Sequence, residues 1–142
     1  MKKLIYIATV LTGLQAAASA NIVTVACNTP SMMAGTSIRM AGKLEIVVSP
    51  TTGMTKLKMG SQLTITKSMR SGAKKFSVQE NIVVSGTYYS TSSSVKIEAN
   101  QEPSSSQVDD RTYSEITIDG KNSSIYEIKG NKNQPLVCIV SK

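Results

Sequence analysis

The chain has 142 residues, and its 16 lysines and arginines against 9 aspartates and glutamates give it a net charge of +7. It contains no histidine, which excludes Ser-His and Cys-His catalytic arrangements and removes the commonest protein ligand of zinc and copper. Aromatic residues make up only 4%, so the stacking platforms of nucleic-acid sites are scarce and we expect no specific nucleic-acid partner.

Residues 1–20 have the features of a secretory signal peptide. A basic pair of lysines precedes the apolar run 4–14, which is too short to span a bilayer, and Ala18 and Ala20 supply the small residues of a cleavage site. The mature chain is predicted to begin at Asn21 and to retain 14 basic and 9 acidic side chains, a net charge of +5. We therefore expect a periplasmic or secreted protein.

The mature chain has two cysteines, Cys27 near its start and Cys138 near its end. In an exported protein an isolated pair predicts one disulfide. Bridged cysteines have Cα atoms within about 7 Å, so the first and last strands must be neighbours or face each other across the core. With both sulfurs bridged, no thiol nucleophile or thiolate metal site remains, and we expect no catalytic residue, no metal site and no cofactor.

Apolar and polar residues alternate with a period of two through the mature chain, which predicts an all-β domain. In chain order, the predicted strands cover residues 22–27, 37–48, 56–67, 76–89, 95–99, 112–118, 124–129 and 136–140. In the third and fourth strands the side chains predicted to be buried are Leu57, Met59, Leu63, Ile65, Phe76, Val78, Ile82, Val84 and one of Tyr88 and Tyr89. The turn 119–122 predicts a hairpin between the sixth and seventh strands.

About eight mostly antiparallel strands with short connections indicate a single domain over residues 21–142. The disulfide between its terminal strands favours a small barrel, and a β-sandwich is the alternative. An outer-membrane barrel is disfavoured because one phenylalanine and four tyrosines in the mature chain cannot form two aromatic girdles. The mature chain has no apolar segment of transmembrane length.

Lys67, Arg70, Lys74 and Lys75 form the densest charge cluster of the sequence. They lie between two predicted strands and indicate a candidate binding site for an acidic protein or an anionic envelope component. The alternative is a solvated loop without function. Ser71 and Lys74 also match the S-x-x-K pattern of a serine–lysine dyad, but that dyad needs a helix, and here a loop is predicted.

These features favour a non-catalytic exported β domain that binds a protein or an envelope component, as small inhibitors and accessory subunits do. One alternative is a barrel that carries a small apolar ligand in its interior. A further alternative is a hydrolase that acts through carboxylates, which requires two acidic groups to converge in a cleft. The sequence offers the pairs Asp109 and Asp110, and Glu98 and Glu102, and the default expectation is that both pairs are solvated.

Overall fold

The computed structural model describes residues 21–30, 35–104 and 108–142. The predicted signal peptide lies outside the described residues. The described part of the chain forms nine strands and one short 3-10 turn. The strands are β1 (Ile22–Asn28), β2 (Thr36–Val48), β3 (Thr55–Leu57), β4 (Ser61–Ser71), β5 (Lys74–Ser90), β6 (Val95–Gln101), β7 (Tyr113–Ile118), β8 (Ser123–Glu127) and β9 (Lys132–Ser141).

The strands form a closed antiparallel barrel of eight strands with one extra strand, β3. β3 and β4 both pair with β2 and with β5, every other strand pairs with the next along the chain, and β9 returns to pair with β1, which closes the sheet. Closure removes the unpaired edges that an open sheet leaves. The predicted all-β meander is confirmed, and the structure selects the barrel over the sandwich.

The extra strand arises because the predicted strand 56–67 is interrupted. β3 pairs with the end of β2 and β4 with its beginning, so the two occupy one position in the barrel. Between them Gly60 adopts a φ of +83°, and the Ser61 hydroxyl donates to the Lys58 carbonyl at 2.6 Å. Met59 lies in this turn and is 92% exposed, so its predicted burial was wrong.

The barrel interior is filled by inward-facing side chains, as expected for a barrel of eight strands. Tyr88 is buried and Tyr89 is exposed, as predicted for this pair. The largest fully buried side chains are Met40, Leu44, Leu63, Ile65, Ile82, Ile97, Ile116, Ile118, Ile125, Leu136, Val25 and Val84. Most are branched aliphatic residues, whose shape suits a pleated and packed surface.

The disulfide lies where the barrel closes. Cys27 of β1 and Cys138 of β9 are directly opposite in the strand register, with Cα atoms 4.0 Å apart. Both cysteines are buried, and 111 positions separate them in the sequence. The predicted disulfide is confirmed, and it links the first and last strands covalently.

Candidate functional site

The β4–β5 hairpin extends beyond β6, the strand that pairs with β5 on its outer side. Its ladder runs without a break to the pair Ser71 and Lys74. On one side, β2 accompanies β4 only as far as Met69. On the other side, β6 begins to accompany β5 only at Val84. In the described structure, residues 74–83 of β5 therefore have a strand neighbour on one side only.

The tip of the hairpin is a two-residue turn, Gly72 and Ala73. Gly72 has a φ of +62° and precedes a residue with negative φ, which is the pattern of a type II′ turn. This turn matches the right-handed twist of the flanking strands, so β4 and β5 stay paired up to the turn itself. Ser71 and Lys74 face each other across the turn and not along a helix, so the S-x-x-K match does not form a dyad of the helical type.

One face of the hairpin continues the inward-facing positions of the barrel. Met69, Phe76 and Val78 follow Ile65 and Ile82 on this face, because side chains alternate along a strand. Phe76 is 50% exposed and Val78 is 55% exposed, so their predicted burial was wrong. The parity is that of core residues, but β6 pairs with β5 only from Val84 onward, so no strand lies on the outer side of Phe76 and Val78 in the described structure.

The opposite face of the hairpin is polar and basic. Arg70 and Lys75 are a cross-strand pair on this face. Below them, the hydroxyls of Ser68 and Ser77 form a hydrogen bond of 2.9 Å across the two strands. Lys74 stands at the tip. The segment 68–79 carries these three cations and no acidic residue.

The four basic residues predicted as a cluster do not act as one group. Arg70, Lys74 and Lys75 are exposed, and none has a carboxylate within 4.0 Å in the described structure. Lys67 instead faces inward, where its Nζ lies 2.8 Å from Oε2 of Glu127. The two side chains are only 24% and 14% exposed. Lys67 and Glu127 therefore line the end of the barrel interior next to the hairpin, called the barrel mouth below, and Lys67 is separate from the exposed cations Arg70, Lys74 and Lys75, called the basic tip.

A polar cluster lies at the same barrel mouth. The Thr112 hydroxyl donates to Oε1 of Glu80 at 3.3 Å, while Oε2 of Glu80 is buried and has no hydrogen-bond partner among the described residues. Burial, together with the negative charges of Glu127 and Glu80, raises the pKa of Tyr113 to about 12. Sequence reasoning missed this cluster.

A signal for the cluster was present in the sequence. Glu80 occupies an inward-facing position two residues before Ile82, and Glu127 does the same two residues after Ile125. Lys67 likewise follows inward-facing Ile65. Charged residues at core parity near a strand end mark the point where a barrel interior opens to solvent, since charged side chains are rarely buried without partners.

The acidic residues considered for catalysis are held by separate partners. The Arg111 side chain, and then its backbone N–H, bond to Asp109 and lower the pKa of that carboxyl to about 2. Asp110 accepts hydrogen bonds from the hydroxyl and backbone N–H of Ser104, which lower its pKa. Glu98 lies 2.9 Å from Lys96 on the outer surface. Glu102 is exposed, and its backbone N–H donates to β5.

The described residues contain no group of three or more Asp, Glu, Cys or His side chains arranged to hold a metal ion. They also contain no helix with the length and apolar character needed to cross a membrane.

The chain has no significant match among protein-family models, curated proteins or solved structures. Function must therefore be inferred from the geometry and charge of the hairpin and the barrel mouth.

Proposed function

We propose that this protein is an exported, non-catalytic binding domain whose β4–β5 hairpin docks in an acidic cleft of a partner protein. The observation that carries the proposal is the hairpin itself, which extends past β6 and presents Arg70, Lys74 and Lys75 without carboxylate partners in the described structure. Positive charge concentrated on a projecting element attracts an acidic surface and speeds encounter with it.

The distribution of side chains favours a protein cleft over a membrane surface. Arg70 and Lys75 lie on one face of the hairpin, and the half-exposed Phe76 and Val78 lie on the other. A flat anionic bilayer contacts one face at a time, so it would meet either Arg70 and Lys75 or the apolar side chains with Lys74 beside them. A cleft surrounds the hairpin and contacts both faces together. This mode of binding is typical of inhibitors and accessory subunits.

Further features of the sequence and the structure support the proposal. The signal-like leader and the buried disulfide support export to the periplasm or the cell exterior, where thiols are oxidised. The filled barrel interior favours binding at the surface over carriage of an apolar ligand inside. Of the acidic pairs considered from the sequence, Asp109, Asp110 and Glu98 have separate partners, which favours binding over hydrolysis by those pairs.

The proposal is tested with the double variant Arg70→Glu/Lys75→Glu. The exported chain is immobilised, partners are recovered from its own envelope extract, and the affinity of the recovered protein is then measured for each variant. We expect a loss of roughly a hundredfold in affinity, because like charges now face the acidic cleft. The matched control is Lys121→Glu/Lys132→Glu, which makes the same charge change at two exposed lysines outside the hairpin.

Recovery of the same partner at equal affinity by both double variants would contradict the proposal. Binding of the wild-type chain to phosphatidylglycerol vesicles, with no protein recovered, would also overturn it and assign the hairpin to a lipid surface. Melting temperatures should agree among the three proteins, since all four positions are exposed.

A further inference from the structure

The outer edge of β5 offers an unpaired row of backbone groups. Ser71 and Lys74 close the two-residue turn, so Lys74 and every second residue after it bond to β4, while the alternate residues Lys75, Ser77 and Gln79 point their N–H and C=O groups away from it. Val83 has the same outward parity further along the strand, and its carbonyl accepts a hydrogen bond of 2.8 Å from the N–H of Glu102, which follows β6. In the described structure no hydrogen bond reaches the outward groups of residues 75, 77 and 79.

This edge lacks the bulges and prolines that often prevent strand pairing. In the described segment 74–83 there is no proline, no break in the β4–β5 register and no residue with positive φ. Its side chains are exposed as far as residue 79. Regular, exposed edges without bulges or prolines can accept another strand, provided that the incoming strand matches the charges on the edge, here Lys74, Lys75 and the inward-facing Glu80.

We propose that the edge pairs with β5 of a second copy of this chain, antiparallel and centred on Ser77. In this register Lys74 of each copy lies directly opposite Glu80 of the other, and Phe76 lies opposite Val78. These four positions become non-hydrogen-bonded pairs, in which side chains approach most closely. An opposite-charge pair and an aromatic–aliphatic pair therefore each occur twice about the two-fold axis.

The backbone fits the same register. Lys75 of one copy exchanges two hydrogen bonds with Gln79 of the other, Ser77 pairs with its own counterpart, and the first pair repeats by symmetry. All the outward groups of these three residues are then satisfied. The result is a continuous four-stranded ribbon, β4–β5–β5–β4, with an interface made of the same surface on both copies.

The buried carboxylate oxygen at the barrel mouth supports this pairing independently. Oε2 of Glu80 has no hydrogen-bond partner among the described residues, and a buried charged oxygen without a partner is costly. The register centred on Ser77 places an ammonium group, that of Lys74 in the second copy, directly across from this residue.

Other registers lose this complementarity. Moving the centre by one residue to Val78 pairs Glu80 with Phe76 and places Lys74 opposite Ile82. Moving it to Phe76 in the other direction places Lys74 opposite Val78 and leaves Glu80 without an opposite strand residue. Charge and apolar matching therefore select a single alignment.

The dimer does not depend on the proposed function, because it needs only the β5 edge and the side chains of one face, whereas docking also needs Arg70 and Lys75 on the opposite face. It would present two hairpins to a partner. Arg70→Glu/Lys75→Glu should consequently lose the partner and remain dimeric.

Sedimentation velocity on the exported chain with its disulfide intact tests the proposal. We expect a dimer for the wild type and a weakening of at least roughly tenfold in Lys74→Glu, where two carboxylates face each other. Glu80→Lys should weaken the dimer similarly, and Lys74→Glu/Glu80→Lys should restore it by exchanging the charges. Lys75→Glu is the matched control, since it faces Gln79 and should leave the dimer intact.

A wild-type chain that stays monomeric up to millimolar concentration would overturn the proposal. So would a Lys74→Glu variant as dimeric as the wild type, or single variants that the charge exchange does not rescue. Because Glu80→Lys also disturbs the contact with Thr112, Ser77→Pro provides a second route. It removes the central N–H that faces the edge and the exposed hydroxyl contact with Ser68, leaves the backbone bonds to β4 in place and should give a folded monomer.

Discussion

At the scale of single residues, the direction of a side chain matters more than its position along the chain. Lys67 lies near Arg70 in the sequence, and charge density alone places the two in one cluster. Strand alternation separates them, because Lys67 shares the parity of Ile65 and points to the barrel mouth. There it meets Glu127, so its charge contributes to stability and not to the exposed basic tip.

Lys67→Ala should lower the free energy of unfolding by about 1–3 kcal/mol, because it leaves Glu127 largely buried without its cation. The matched control is Lys58→Ala, which breaks an ion pair of similar length with Glu45 at a far more exposed site. That change should cost less than about 0.5 kcal/mol. Urea unfolding measures both changes in free energy. Equal losses would contradict the prediction, because the Lys67–Glu127 pair would then stabilise the fold no more than the exposed Lys58–Glu45 pair.

Ionisation of Tyr113 is expected to lower the free energy of unfolding at alkaline pH. Burial and two nearby carboxylates raise its pKa in the folded protein to about 12, above the ordinary value of about 10. The unfolded chain therefore loses the phenol proton first as pH rises. The stabilisation is complete below about pH 10 and is lost as pH rises toward 12, by up to about 2–3 kcal/mol.

Tyr113→Phe should remove this part of the alkaline loss. Urea unfolding at a series of pH values measures it, and phenolate absorbance of the folded wild type should show one tyrosine that ionises after the others. A Tyr113→Phe variant with the same pH profile as the wild type would assign the alkaline loss to other groups.

At the scale of strands, alternation in the sequence correctly predicts which side chains share a face. It predicts the inward positions of β5 from Ile82 to Tyr88. It does not predict how far a strand extends past its neighbours, because that depends on pairing with residues distant in sequence. Phe76 and Val78 have core parity, yet β6 ends before it reaches them, and they are exposed. The site was consequently predicted as a loop, although it is a ribbon with two distinct faces.

The contact between β5 and β6 depends on Gly86. A Cβ atom at this residue would lie 2.2 Å from the carbonyl oxygen of Glu98 and 2.7 Å from Cα of Ala99, so no side chain fits without moving β6. Gly86→Ala should lower the free energy of unfolding by at least about 2 kcal/mol. Ser85→Ala, at the exposed neighbouring position, should change it by less than about 0.5 kcal/mol. Equal urea midpoints for the two variants would mean that the strands separate at little cost.

At the scale of the whole molecule, the barrel is closed by a non-local contact. Every other junction of the barrel joins strands that are consecutive in chain order or separated only by the short β3, whereas β1 meets β9 after nearly the whole domain has been traversed. Closing so long a loop is entropically expensive, and the disulfide between Cys27 and Cys138 imposes this proximity on the unfolded chain as well. The cysteines of the sequence thus predict the closure that strand periodicity alone leaves open.

Cys27→Ala/Cys138→Ala should therefore destabilise the protein by about 2–5 kcal/mol, the upper figure being the chain-entropy value for a loop of this length. Alanine is the appropriate replacement because both sulfurs are buried, and a hydroxyl there would add a separate cost. Urea unfolding of the oxidised wild type, the reduced wild type and the double variant measures the effect. The double variant and the reduced wild type should unfold at similar urea concentrations, both lower than that of the oxidised wild type. Only the wild type should become less stable when reductant is added. A double variant as stable as the oxidised wild type would show that strand pairing between β1 and β9 is sufficient to keep the barrel closed.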